Sequence, residues 1–283
     1  MNFTEQDLEV FNQAIKESSP YDFSDYSEKS LIRRITKIMI DHQLNVSDLL
    51  NKIRNDHNFV EFIVKEVTVN TTELFRDPSI WHVLRYQILP KFKDHKNINI
   101  WHAGCSTGQE VYSLMILLNE MDMLHKVHIY ASDINTDVIE KARLGEYRYR
   151  FNINYLDNFD KVIKENPYNY DSFNDVPYEK YFSINESKDF IKMHSFLTEK
   201  PIYKKHDLVK DPNVFQVKFD IIFCRNVMIY FNFNLQNKVV KLFYDNLFDG
   251  GHLILGKQES IRGSIALNFE KFTQVFIKKT LNL

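Results

Sequence analysis

The part of the sequence beyond Pro90 alternates between short apolar runs and stretches with helical periodicity. Residues 98–105 and 127–133 are apolar runs, and each precedes a stretch whose apolar residues recur three or four positions apart. Residues 219–226 form a third such run, and the pair Gly250 and Gly251 comes before a fourth. Strands and helices that alternate in this way form a parallel sheet covered by helices on both faces. This part of the chain therefore predicts an α/β domain.

Residues 150–206 interrupt the alternation, because they contain no glycine and are rich in tyrosine, asparagine and lysine. Within them, residues 181–184 and 189–193 flank a polar turn and predict a β-hairpin, with residues 202–206 as a candidate third strand. The segment thus predicts a small antiparallel sheet inserted at about residues 178–206, with an edge that can pair with another chain. Near the C-terminus, residues 272–279 predict an edge strand of the main sheet.

Residues 1–69 contain no glycine and predict a small helical domain. Thr4 and Asp7 have the capping-box spacing at the start of one helix. Residues 28–40 form another helix whose apolar residues lie on one arc. The opposite arc carries Lys29, Arg33, Arg34 and Lys37. A charged arc of this kind is by default a solvated helix face.

The charges and the cysteines exclude several classes of protein. The 36 Lys and Arg residues are balanced by 38 Asp and Glu residues, and the net charge of −2 argues against a dedicated nucleic-acid binder. No apolar run approaches the roughly 20 residues of a membrane span, and the polar N-terminus has no signal-peptide core. Cys105 and Cys224 give no disulfide framework, which fits a reducing compartment. We expect a cytoplasmic monomer that neither binds nucleic acid nor inserts into a membrane.

The turn GCSTGQE, residues 104–110, lies between the first strand and the following helix and predicts a ligand site. Glycine lets a ligand approach the backbone, and the start of a helix supplies free N–H groups. The turn matches neither the dinucleotide-binding fingerprint nor the P-loop. Asp133 ends the second strand, where doubly wound folds bind ribose hydroxyls. An alternative for Asp133 is the N-cap of the helix that starts near Asn135.

Three other features have plain structural interpretations. His125 and His128 are three residues apart, but they precede a strand and lack a third ligand, so no metal site is predicted. Cys224 ends a buried apolar strand, which favours a structural cysteine over a nucleophile. Tyr230, on its position alone, is an aromatic residue packed at the sheet edge.

Four segments resemble the chemotaxis receptor glutamate methyltransferases, the CheR family. They are NTTELFRD (70–77), WHAGCSTGQEVYS (101–113), ASDINTDVIEKARLGEY (131–147) and FCRNVMIYF (223–231). The resemblance implies a helical domain at residues 1–69 and a Rossmann-like methyltransferase domain at residues 70–283 that contains the inserted β subdomain. It also implies transfer of a methyl group from S-adenosylmethionine to glutamate side chains of bacterial chemoreceptors, which leaves S-adenosylhomocysteine and serves chemotactic adaptation.

The resemblance also implies roles for individual residues. It implies that the side chains of Arg76 and Tyr230 lie beside the reacting methyl group. It places in the cofactor pocket Asn70, Thr72, Arg76, Glu110, Asp133, Asp207, Leu208, Cys224, Arg225 and Asn226. Three departures from the family pattern are GQEVYS at residues 108–113, Asp207 in place of asparagine, and GKQES at residues 256–260. They leave open a cofactor-binding relative with little turnover, or a methyltransferase with another acceptor.

The resemblance further implies two contacts with the receptor. Acidic methylation sites on receptor cytoplasmic helices would face the basic arc of residues 28–40. A receptor C-terminal tail would pair with the edge of the inserted hairpin.

Overall fold

The computed structural model describes residues 3–68 and 71–280. Its N-terminal part contains the helices α1 (Glu5–Ser18), α2 (Glu28–Asp41), α3 (Val46–Asn55) and α4 (His57–Val67). The predicted capping box between Thr4 and Asp7 starts α1. The apolar faces of these helices pack against one another around Phe11, Ile35 and Ile63. The prediction of a helical N-terminal domain is confirmed.

The remaining elements alternate as the apolar pattern predicts. In chain order they are α5 (Pro78–Val83), β1 (Ile98–Ala103), α6 (Gln109–Glu120), β2 (Val127–Asp133), α7 (Thr136–Leu144), β3 (Glu146–Tyr147), α8 (Tyr149–Phe159), β4 (Phe182–Asn185), β5 (Phe190–Met193), α9 (Ser195–Thr198), β6 (Ile202–Lys205), β7 (Phe219–Cys224), α10 (Phe233–Asn246), β8 (Leu247–Leu255), β9 (Phe269–Phe272) and β10 (Val275–Lys278). None of the helices within the described ranges is long and apolar enough to cross a membrane.

Within the described residues, seven strands form the main sheet in the order β6-β2-β1-β7-β8-β10-β9. The strands from β6 to β8 are parallel, which confirms the predicted α/β domain, whereas β10 and β9 add to it antiparallel. The prediction that residues 272–279 form the edge strand is wrong, because β10 lies inside and β9 forms the edge. The charged Glu270 and Lys271 on β9 suit an edge, where charges discourage pairing with other chains.

The smaller sheet has the order β3-β5-β4 and is antiparallel. The predicted hairpin is confirmed as β4 and β5, but the predicted third strand is wrong. That strand is β3, whereas residues 202–205 form β6 and pair in parallel with β2. Asp133 therefore lies opposite Lys205, and the residues that follow β6 reach the carboxyl end of the main sheet.

The helical domain joins the main sheet next to the end of β7. Tyr26 and Phe231 form an antiparallel β-bridge. The Ser27 N–H donates to the carbonyl oxygen of Tyr230 at 2.8 Å, and the Asn232 N–H donates to that of Asp25 at 2.8 Å. The segment before α2 is thus fixed to the segment before α10.

Candidate active site

A cleft lies at the carboxyl ends of β1, β2, β6 and β7, where parallel sheets bind ligands. It contains about 940 Å³ of space when its open mouth is included. The predicted site residues that line it are Thr72, Arg76, Glu110, Asp133, Asp207, Leu208, Arg225, Asn226 and Tyr230. Asn70 lies outside the described residues. The structure therefore brings together residues that are as much as 158 positions apart in the chain, from Thr72 to Tyr230.

The turn after β1 forms one wall of the cleft. The N–H groups of Gly104 and Cys105 both donate to the carbonyl oxygen of Ser132, at 2.8 and 2.9 Å. Gly104 has a φ of +79°, and a Cβ atom there would lie 2.5 Å from Cγ2 of Val227. Only glycine fits this position, because it tolerates both the left-handed backbone and the close approach of the opposite loop.

Asp133 is held at the end of β2 by backbone donors. Its Oδ2 accepts from the Ser106 N–H at 2.9 Å, and its Oδ1 accepts from the Asn135 N–H at 3.0 Å. Burial raises the pKa of Asp133, and these hydrogen bonds act in the opposite direction. The N-cap alternative for Asp133 is wrong, because the side chain of Asn135 caps α7. The Asp133 carboxylate therefore does not cap α7 and lines the cleft instead. Its contact with ribose stays a prediction.

Arg225 is the centre of a buried ion-pair network beneath the cleft. Its side chain is only 2% exposed. Nη2 donates to Oδ2 of Asp77 and to the carbonyl oxygen of Arg76, both at 2.9 Å, and Nη1 donates to Oε2 of Glu110 at 3.1 Å. The guanidinium therefore ties the end of β7 to the segment that carries Arg76.

Glu110 completes this network from the first turn of α6. Nδ1 of His102 lies 2.9 Å from its Oε1. Burial raises the pKa of Glu110, but the hydrogen bond from His102 and the charge of Arg225 outweigh burial and lower it. Glu110 is thus a fixed anion at the base of the cleft.

The backbone around Arg76 is strained and firmly held. Phe75 and Asp77 on either side have φ values of 51° and 59°, in the left-handed region that non-glycine residues avoid. The Arg76 carbonyl oxygen accepts from Nε1 of Trp81 at 2.9 Å as well as from Arg225. Among the described residues the Arg76 side chain has no hydrogen bond or ion pair, so its guanidinium is available to a ligand.

Tyr230 lies at the same cleft, with a cation from the helical domain beside it. The guanidinium carbon of Arg34 lies 6.0 Å from the centre of the Tyr230 ring, and Nη1 of Arg34 donates to the carbonyl oxygen of Glu66 at 3.1 Å. Arg34 lies on the predicted arc of α2, but the expectation that it is solvated is wrong, because its side chain is half-buried. The exposed basic face of α2 consists of Lys29, Arg33 and Lys37.

The two cysteines differ in their relation to the cleft. β1 and β7 are neighbours, as the fold predicts, and Cys105 lines the cleft. Cys224 is 0% exposed and is not among the lining residues, because its side chain packs into the hydrophobic core. Burial raises the pKa of both thiols, which keeps them protonated and suits structural cysteines.

Among the residues at this site that the sequence did not indicate, Tyr26 and Glu259 matter most for its geometry. Tyr26, from the helical domain, lines the cleft. Glu259 holds the loop after β7: its Oε2 accepts from the N–H groups of Asn226 and Gly256 at 2.8 and 2.7 Å, and its Oε1 accepts from Ile229 at 3.2 Å. Glu259 belongs to the GKQES segment that was noted as a departure from the family pattern, whereas nothing in the sequence indicated Tyr26.

The fold and this cleft are those of an S-adenosylmethionine-dependent methyltransferase. Two family models match the chain, the CheR methyltransferase all-alpha domain over residues 6–68 and the CheR methyltransferase SAM-binding domain over residues 70–277. The chain therefore belongs to the CheR methyltransferase family, with S-adenosylmethionine as its cofactor. Its function is methyl transfer in chemotaxis.

Curated relatives match nearly the whole chain. A chemotaxis protein methyltransferase of Borreliella burgdorferi is 31% identical over 82% of this chain and 83% of its own. One of Listeria innocua is 25% identical over 98% of each chain. A Pseudomonas putida protein that carries the methyltransferase name Cher3 is 31% identical over 91% of this chain and 90% of its own. The CurJ carbon methyltransferase structure covers 90% of this chain and 51% of its own at 15% identity, with a TM-score of 0.38, which does not bear on function.

Replacing Asp133 with alanine is expected to weaken binding of S-adenosylhomocysteine by about 1–3 kcal/mol, because the ribose would lose its carboxylate acceptor. Titration calorimetry measures the change. Asp122→Ala removes a fully exposed aspartate that precedes β2 and should bind like the wild type. Unchanged affinity of the Asp133 variant would exclude this residue from the cofactor site.

Proposed function

We propose that this protein, acting as a cytoplasmic monomer, methylates glutamate side chains on the cytoplasmic helices of bacterial chemoreceptors. The observation that carries the proposal is the Arg76 guanidinium, which has no partner among the described residues, sits on a backbone fixed from both sides and shares a cleft with Tyr230 and Asp133. A cation held in this way suits an acceptor that carries a carboxylate.

The chemistry requires few catalytic groups. The methyl group of a sulfonium is already activated, and a glutamate carboxylate with a reference pKa of about 4.3 is ionised at neutral pH. No general base is needed, since the acceptor has no proton to lose. What the protein contributes is alignment of the two reactants and removal of water from between them.

The residues of the cleft fit the cofactor's parts. Asp133 would hold the ribose hydroxyls, and Asp207 with Leu208 would contact the adenine. The cleft is lined by three acidic side chains, those of Glu110, Asp133 and Asp207. Their negative charge suits a cofactor that carries a positive sulfonium. Because methyl transfer neutralises that sulfonium, the same anions favour the substrate cofactor over the product.

Arg76 and Tyr230 would act on the acceptor. The planar fork of Arg76 can orient a carboxylate through two parallel hydrogen bonds. Tyr230 can donate one neutral hydrogen bond. Binding that is too tight would lower the nucleophilicity of the carboxylate, so one cation with one neutral donor is a suitable balance.

The receptor would meet two surfaces. The exposed basic face of α2, Lys29, Arg33 and Lys37, fits acidic methylation sites. It starts directly after Ser27, whose N–H donates to the carbonyl oxygen of Tyr230. In the smaller sheet, β4 pairs only with β5 among the described residues. Its other edge is therefore open to an extended receptor tail.

Reversing Arg33 and Lys37 to glutamate is expected to slow receptor methylation on the order of tenfold at low salt, because charges at a rim mainly steer association. The difference should shrink at physiological salt, where charges are screened over about 8 Å. Initial rates at several salt concentrations measure it. Reversing Lys93 and Lys96, exposed near the opposite end of β1, makes the same change in charge and should leave the rate unaltered.

The proposal is tested by incubating the protein with methyl-labelled cofactor and isolated receptor membranes. Label on the receptor that is released as methanol by mild base supports glutamate methyl esters. Base-stable label, or label on another molecule, indicates a different acceptor. Cofactor binding without any transfer indicates a regulatory relative with little turnover.

A further inference from the structure

Tyr26 brings a side chain of the helical domain into the cofactor cleft. It is 9% exposed and lines the cleft together with Asp133 and Asp207. It lies two residues before α2 and far in sequence from every strand end at the cleft. Neither the resemblance nor the family match assigns it a role.

The ring of Tyr26 is held in one orientation. It makes edge-to-face contacts with Phe23 and Phe231, at centroid distances of 5.0 and 5.1 Å. The backbone bridge to Phe231 fixes the residue on the same side. The hydroxyl therefore cannot turn away from the cleft without breaking these contacts.

The hydroxyl is not itself fully buried, and it belongs to a residue that lines the cleft. Among the described residues it has no hydrogen-bond partner, although the residue is nine-tenths buried. Burial raises the pKa of Tyr26, and the charges of Asp207 and Asp133 raise it further, so the phenol keeps its proton. The two neighbouring carboxylates accept hydrogen bonds when ionised, whereas this hydroxyl can donate one.

We propose that the Tyr26 hydroxyl donates a hydrogen bond to the adenosyl part of S-adenosylmethionine. An adenosyl group has donors, the ribose hydroxyls and the adenine amine, which suit Asp133 and Asp207. It also has acceptors, the ring nitrogens and the ribose oxygens, which need a donor such as Tyr26. The three side chains together match both kinds of group.

The same contact links the two domains. Tyr26 belongs to the segment whose Ser27 N–H donates to Tyr230, so a ligand that holds Tyr26 also holds the helical domain against the site. Binding of the cofactor and docking of the segment at residues 25–27 therefore stabilise each other.

The test is the variant Tyr26→Phe, which keeps the ring contacts and removes only the hydroxyl. Its Kd for S-adenosylhomocysteine, measured by calorimetry, is expected to rise about tenfold, which is the loss of one hydrogen bond. Tyr21→Phe is the matched control, because that hydroxyl bonds Glu61 and Lys205 outside the cleft. Its Kd should equal that of the wild type. A wild-type Kd for Tyr26→Phe would overturn the proposal.

Binding of a second ligand, methylthioadenosine, shows which part of the cofactor accepts the hydrogen bond from Tyr26. Methylthioadenosine lacks the amino-acid part, so the same tenfold difference between wild type and Tyr26→Phe is expected with it. A difference that disappears with methylthioadenosine would overturn the assignment to the adenosyl group. Hydrogen exchange at the Ser27 amide should also slow on addition of S-adenosylhomocysteine, and less so in the variant. None of these measurements uses an acceptor, so they stand independently of the receptor as substrate.

Discussion

Replacing Arg225 with methionine is expected to lower the free energy of unfolding by about 3–5 kcal/mol. The substitution leaves Glu110 as a buried carboxylate without its cation and removes a donor from the Arg76 carbonyl oxygen. Methionine retains much of the side-chain volume, so the loss reports on charge and hydrogen bonding rather than on a cavity. Urea unfolding of the cofactor-free protein measures it.

Arg33→Met is the matched control for this prediction. Arg33 is exposed on α2, and its replacement is expected to change stability by no more than about 0.5 kcal/mol. A loss below about 1 kcal/mol for the Arg225 variant would mean that the network contributes little to folding, and that Arg225 serves the ligand instead.

Replacing Arg76 with alanine is expected to reduce the rate of methyl transfer about a hundredfold at saturating cofactor. The reason is that the acceptor carboxylate would lose its orienting cation, and small misplacements in a transfer reaction cost about this much. Tyr230→Phe removes one hydrogen bond and should cost about tenfold. Initial rates with a receptor fragment measure both effects.

The free energy of unfolding of the Arg76 variant distinguishes a catalytic role of Arg76 from an effect on folding. The Arg76 side chain has no protein partner among the described residues, so its removal should change the free energy of unfolding by less than about 1 kcal/mol. Arg54→Ala, at an exposed position of α3, should have wild-type rates. If the rate of the Arg76 variant falls only in proportion to its unfolded fraction, the catalytic assignment fails.

The main sheet was predictable because its strands are continuous apolar runs separated by helical stretches. β6 was not, since its four residues IYKK fit a hairpin as well as a parallel edge strand, and only long-range pairing with β2 decides between them. β10 was predicted as the edge for a related reason, because the sequence does not show that the chain reverses through β9 first.

Individual site residues were predictable where the fold fixes their position. Asp133 and the turn at Gly104 follow from strand ends, which meet at one edge of any parallel sheet. The resemblance indicated Arg225 as a pocket residue. It did not indicate that the guanidinium donates its hydrogen bonds to Asp77, Glu110 and the backbone of Arg76. This structural role of Arg225 depends on which loops lie together beneath the cleft, and no local sequence pattern predicts which loops those are.

Residues that act across the two domains were the least predictable. The helical pattern placed Arg34 correctly on the arc opposite the apolar face of α2, but it did not show that Tyr230 lies against that arc. Tyr26 was missed for the same reason. Both positions depend on how the segment at residues 25–27 pairs with residues 230–232.

Peptide mapping by mass spectrometry tests most directly whether the acceptor is a glutamate carboxylate. A purified chemoreceptor cytoplasmic fragment is incubated with the protein and S-adenosylmethionine, and each modified residue is identified by fragmentation. We predict one added methyl group on glutamates of the fragment, lost at alkaline pH and strongly reduced with Arg76→Ala. Methylation confined to other residue types, or an unmodified fragment despite bound cofactor, would contradict the account.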